Sequence, residues 1–86
     1  MTAATATPHA AEPVRVFDAR SISRRLRHQL VYDALEQLPP HATLRYVGTY
    51  YPIGLMEQLI HRYAGRLTYQ LREVSGERVV IDLALD

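Results

Sequence analysis

Gly48-Thr49-Tyr50-Tyr51-Pro52-Ile53-Gly54-Leu55-Met56-Glu57-Gln58-Leu59-Ile60-His61-Arg62-Tyr63-Ala64-Gly65 reads as a strand exit, a tight aromatic loop and a complete helix with its own start and stop signals. Pro52 suits the first helical turn, where its missing N–H costs nothing and its fixed φ is already helical. Leu55, Met56, Leu59, Ile60 and Tyr63 recur at helical spacing and form one apolar stripe. Gly65 stands where a left-handed residue closes a helix.

Working outward from this helix, Thr43-Leu44-Arg45-Tyr46-Val47 is the strand that feeds the aromatic loop. Before it, Pro39-Pro40 ends an earlier helix that starts at Ser21 or Ser23, runs to about Leu38 and carries a stripe of Leu26, Leu30, Ala34 and Leu38, widened by Val31 and Leu35. Val14-Arg15-Val16-Phe17-Asp18 alternates as a first strand, with Val14 and Val16 on one face. After Gly65, Leu67, Tyr69 and Leu71 alternate with polar residues, Ser75-Gly76 signals a hairpin, and residues 78–85 form a last strand with Val79, Ile81, Leu83 and Leu85 on one face. The order is βαβαββ. Right-handed crossovers then place both helices on one face of a mixed four-stranded sheet, an α/β two-layer sandwich.

The chain has 86 residues, enough for one two-layer core. Residues 1–13 are rich in Ala and Thr, contain Pro8 and Pro13 and show no periodicity, which predicts a flexible N-terminal tail before a single domain over residues 14–86. A net charge of +1 gives no bulk argument for nucleic acid. All ten basic residues are arginine, so the surface is rich in forked anion donors. Cysteine is absent, which removes disulfides, thiolate zinc sites and cysteine nucleophiles. No apolar run has the length of a membrane span, and the first residues lack the pattern of a secretory signal; cytoplasm is the expectation.

From Val16 onward the chain resembles the domain-of-unknown-function 2249 family, in the TusA-like (sulfur-carrier) fold group. The resemblance rests on Arg27-His28 in the first helix, residues 44–47 running into the loop, Pro52 and Leu55 opening the second helix, and Ala64-Gly65 closing it. It implies strand order 1-2-4-3 with strand 4 antiparallel to the others. Family members carry His-Asp-Pro where this chain has Tyr50-Tyr51-Pro52, so imidazole and carboxylate are both missing from that loop. Sulfur carriers of the wider group place a Cys-Pro pair before the first helix. Here the residues are Ser21-Ile22-Ser23, and sulfur relay is excluded by chemistry. The family also implies a context of hemerythrin-like iron domains and nitrogen-oxide handling.

Two groups of residues could carry a ligand. Tyr50 and Tyr51 lie between a strand end and a helix N-terminus, where free N–H groups favour ligands. They either stack on and hydrogen-bond a small planar or anionic molecule, or pack on Leu55, Tyr46 and the sheet edge. Arg20, Arg24, Arg25 and Arg27, with His28 beside them, crowd a helix N-terminus where the macrodipole is already positive. An anion, helped by the hydroxyls of Ser21 or Ser23, relieves that repulsion; a solvated arginine face is the other reading. Asp18 ends a strand and either serves a site or caps the turn and pairs with an arginine. His61 with Glu57 at i, i+4 is spaced to ligate a metal or to stand as a bare surface pair, the commoner outcome, and no Ser-His-Asp set, phosphate loop or paired carboxylates stand out.

The sequence therefore points to a non-catalytic binding or regulatory module for a small anion or a partner protein, with no cofactor and no metal. The alternatives are a small enzyme built on Tyr50, Asp18 and Arg27, a metal- or haem-associated domain using the Tyr50-Tyr51-Pro52 loop, and an RNA-binding module resting on the arginines. Open sheet edges leave room for a homodimer.

Overall fold

The computed structural model describes residues 13–86. The tail expected over residues 1–13 lies, apart from Pro13, outside the described residues. The elements are β1 (Val14–Asp18), a 3-10 turn (Ala19–Ser21), α1 (Arg24–Glu36), β2 (Thr43–Gly48), α2 (Ile53–Arg62), β3 (Leu67–Val74) and β4 (Val79–Leu85). The sheet order is β1-β2-β4-β3. β1 runs parallel to β2, and β4 is antiparallel to both of its neighbours. The βαβαββ order and the mixed sheet are those that the sequence predicts.

One face of the sheet carries the core. Leu44 faces Leu83 and Tyr46 faces Ile81 across β2 and β4, and these side chains are buried with Val79. Val31 and Leu35 of α1 and Leu55, Met56 and Leu59 of α2 close over them in one cluster, so both helices cover the same face. The helices also bind each other: the Tyr32 hydroxyl donates to Gln58 at 2.6 Å, and that of Tyr63 donates to Glu36 at 2.7 Å. The other face is polar, with Arg45 opposite Asp82. Gly48 lets the Tyr46 ring lie flat beneath the strand end, since a Cβ at Gly48 would come within 2.9 Å of the ring.

Several local expectations shift. The α1 stripe is rotated: Leu26 and Leu30 are 56% and 38% exposed, while Val31 and Leu35 are buried. The core-facing row is Arg27, Val31 and Leu35, at i, i+4 and i+8, and a pattern search passes over it because it begins with an arginine. Ile60 likewise turns outward from the α2 stripe. Val16 is 65% exposed because it pairs with Arg45 on the polar face, leaving Phe17 to stack on Tyr46 with centroids 6.0 Å apart. Ser23 occupies the N-cap of α1, yet its side chain makes no capping bond; its carbonyl accepts from Leu26 and Arg27.

The ends of the elements follow ordinary backbone rules. α1 stops at Glu36, and a last tight turn, Leu38 N–H to Leu35 carbonyl, reaches the two prolines. Pro40 and His41 then make the corner of a turn closed by Ala42 N–H on the Pro39 carbonyl, with His41 at φ 66°. α2 starts at Ile53, one residue after Pro52, whose carbonyl accepts its first helical bond from Met56. Gly65, at φ 80°, reverses the chain after the helix, and Ser75 closes the hairpin on Arg78. No helix of the described residues is long and apolar enough to cross a membrane.

Candidate functional site

β1 and β2 are parallel, so the helices that follow them begin at the same end of the sheet. Their first turns, with the Tyr50-Tyr51 loop between, surround a cavity of about 590 Å³. Arg24, Arg25, Arg27 and His28 line it from α1; Tyr50, Tyr51 and the first turn of α2 line it from the other side. This is the crevice outside the carboxyl ends of parallel strands, where α/β folds bind ligands. The two groups singled out in the sequence, twenty-odd residues apart in the chain, thus form one site.

Arg27 is its anchor. Its Nη2 donates to the Ile22 carbonyl at 3.2 Å and its Nη1 to the Tyr50 hydroxyl at 3.3 Å. The guanidinium lies 5.8 Å from the Tyr50 ring centroid. Its Nε is buried and has no hydrogen-bond partner among the described residues. α1 has no acidic residue in its first turn, and among the described residues no carboxylate lines the cavity beside Arg24, Arg25 and Arg27. First-turn N–H groups of both helices, among them those of Gly54 and Leu55, lack an acceptor one turn back. A Cβ at Gly54 would meet nothing within 4 Å, so the backbone of α2 is open to the cavity.

The two tyrosines divide the work. Tyr51 packs against the core, whereas Tyr50 stays half exposed beside Arg27. The hydrogen bond from Arg27, reinforced by the charge of Arg24, lowers the Tyr50 pKa from its ordinary value. Burial raises that of Tyr46, which lies beneath the same arginine, and burial followed by the bond to Glu36 raises that of Tyr63. Tyr50 should therefore ionise before Tyr46 and Tyr63. A group whose folded pKa is depressed adds stability as pH rises from that value towards the unfolded one, about 10 for tyrosine. Tyr46 and Tyr63 act in the opposite sense and remove stability above that pH. A tyrosinate absorbance titration checks this: Tyr50→Phe should delete a step that precedes those of Tyr46 and Tyr63 and leave those two in place.

Other candidates stand apart. Asp18 does not line the cavity; it accepts from the Arg20 backbone N–H at 3.0 Å and from its guanidinium at 2.8 and 2.9 Å. That side-chain bond, then the backbone one, lowers the Asp18 pKa to about 2. Arg20 is held in the same pair and is also outside the cavity lining, as are Ser21 and Ser23. Asp18 and Arg20 thus brace the 3-10 turn, and the trio Tyr50, Asp18 and Arg27 is not assembled. His28 borders the cavity, but its Nδ1 lies 3.2 Å from Gln58 Oε1, which ties it to α2. Arg25, part of the arginine cluster read from the sequence, lines the cleft, and so does Gly54, which was not among the expected site residues; its signal was position in the first turn of α2. Among the described residues no three of His, Cys, Asp and Glu stand together as a metal site.

The chain belongs to a family of uncharacterized conserved proteins, DUF2249, whose model matches residues 16–84. That span runs from β1 almost to the end of β4 and includes every residue of the cleft. Comparison with curated proteins and with solved structures found no match.

Proposed function

We propose that this domain is a non-catalytic binding module of the cytoplasm, and that the cleft between α1 and the Tyr50-Tyr51 loop takes a small anion. The ligand carries a phosphate, sulfate or carboxylate group on a body compact enough for a cavity of about 590 Å³. The observation that carries this reading is the convergence of Arg24, Arg25, Arg27 and two helix N-termini on a cavity that, among the described residues, no carboxylate lines. Tyr50 offers a ring edge and a hydroxyl to the ligand's body, while Tyr51 keeps the loop seated on the core. Among the described residues the lining holds no carboxylate, and its imidazole, His28, is engaged with Gln58 of α2, which supports binding over turnover.

The test is thermal unfolding in phosphate, sulfate and chloride at matched ionic strength. The domain should melt higher in phosphate or sulfate, and amide signals of residues 23–27 and 50–55 should move together on titration. Equal melting in all three salts with unmoved amides would make the arginines a solvated face. Steady turnover of a defined substrate by the purified protein would replace binding with catalysis.

A further inference from the structure

β3 is an edge strand, and the face it turns toward the helices is apolar and uncovered. Tyr69 and Leu71 pair with the buried Leu83 and Ile81 and so lie on the helix side of the sheet, yet each is 47% exposed. Val74, opposite the buried Val79, is also exposed. On α2, Gln58 and Arg62 face α1, where Gln58 accepts from Tyr32 and Arg62 stacks on the Tyr32 ring. Ile53 and Ile60 occupy the flank that α1 does not cover, and both are exposed.

The backbone of this edge is equally open. Asp86 N–H donates to the Arg66 carbonyl, which makes residues 66, 68 and 70 the ones bonded to β4. The N–H and C=O groups of Tyr69 and Leu71 therefore point outward, and among the described residues no strand pairs with them, while the Leu67 N–H donates to the Tyr63 carbonyl. The devices that blunt an edge are missing over residues 67–71: there is no proline and no charged side chain, and the irregularity of the strand comes only after Leu71.

We infer that this edge is the interface with a second copy of the chain, the two β3 strands pairing antiparallel about a two-fold axis at Gln70. In that register Tyr69 faces the second copy's Leu71 and Leu71 faces its Tyr69. These are the residues whose backbone groups point outward, so each pair exchanges both hydrogen bonds. On the polar face the two Gln70 amides meet. No like charges are opposed between residues 68 and 72, and a net charge of +1 sets little repulsion against self-association. The strand is complementary to itself in apolar and amide pattern and opposes no charges over residues 67–71, as an isologous contact allows. The result is one continuous sheet across two copies, with the anion cleft of each left free.

The experiment is sedimentation equilibrium and amide hydrogen exchange on the full chain, from micromolar to millimolar concentration. The expected result is twice the monomer mass, with the Tyr69 and Leu71 amides slowing by about tenfold or more as concentration rises. Leu71→Lys should return the protein to a monomer. Gln70→Arg, a change at an exposed position, should do the same by opposing two cations across the axis, with circular dichroism unchanged. A monomer at all concentrations overturns the inference, and so does a dimer whose Tyr69 and Leu71 amides stay fast. Protection of those amides in a monomer at every dilution overturns it as well, because the edge is then covered by the chain itself.

Discussion

Replacing Asp82 with alanine should lower the unfolding free energy by about 3 kcal/mol. Asp82 sits on β4, an inner strand of the sheet, with its side chain 6% exposed on the face away from the helices. Arg45 binds it through both oxygens, at 2.8 and 3.0 Å, and Arg72 lies 3.7 Å away. Removing the carboxylate leaves two guanidinium groups beside an emptied site. Both are about a third exposed and can recover some water, which holds the loss to the lower part of the range for broken buried pairs. Arg72→Ala, which gives up only a long, partly exposed contact, should cost no more than about 1 kcal/mol. The joint change Asp82→Leu with Arg45→Met should recover much of the loss, because it removes the desolvated charge together with its partner. Urea denaturation of the three variants measures this. Equal losses for Asp82→Ala and Arg72→Ala would mean that the face is held by the two arginines acting together and not by the Arg45–Asp82 pair.

This pair also shows why strands were easier to read in the sequence than helix faces. On β4 the alternation of Val79, Ile81 and Leu83 with Val80, Asp82 and Ala84 has period two and leaves one assignment of faces. The hairpin at Ser75-Gly76 and the stop at Pro39-Pro40 depend on local backbone chemistry and could be read without any tertiary information. α1 was different. Its leucines at 26 and 30 make a plausible stripe, and only packing decides that the row starting at Arg27 turns inward. The aliphatic stem of Arg27 follows the core while its head reaches the Ile22 carbonyl and Tyr50, a division of one side chain that a hydrophobicity pattern does not register.

The site was legible as parts and not as a whole. Tyr50 and Tyr51 stood out because they precede a helix, and the arginines because they crowd the N-terminus of another. That both helix starts share one end of the sheet follows from the parallel pairing of β1 and β2, a long-range fact. Asp18 and Arg20 looked like members of the cluster by proximity in sequence. A two-residue spacing at a strand end lets them bond to each other instead, and the turn they brace directs Ser21 and Ser23 away from the cavity lining.

Two substitutions in the cleft should give opposite changes in basal stability and the same loss of anion response. Arg24 is exposed in the first turn of α1, where a cation opposes the helix dipole. Arg24→Glu should raise the unfolding free energy in chloride by about 0.3–1 kcal/mol. Arg27 is tied to the Ile22 carbonyl and the Tyr50 hydroxyl in the wall of the cleft. Arg27→Gln should lower the unfolding free energy by about 1–3 kcal/mol, because a part-buried carbonyl loses its donor. The wild type, at a hundredfold excess of phosphate over its dissociation constant, should gain about 2.7 kcal/mol. Both variants should lose most of that increment, Arg24→Glu by placing a carboxylate where the anion binds and Arg27→Gln by removing the donor fork. Denaturation of each protein in phosphate and in chloride at equal ionic strength separates the two effects. A variant that becomes more stable while it stops responding to phosphate is the signature of cations retained for a ligand at a cost to the fold. If Arg24→Glu keeps the full phosphate increment, the anion is not held at the start of α1. Should Arg27→Gln keep it as well, any phosphate effect arises outside this cleft.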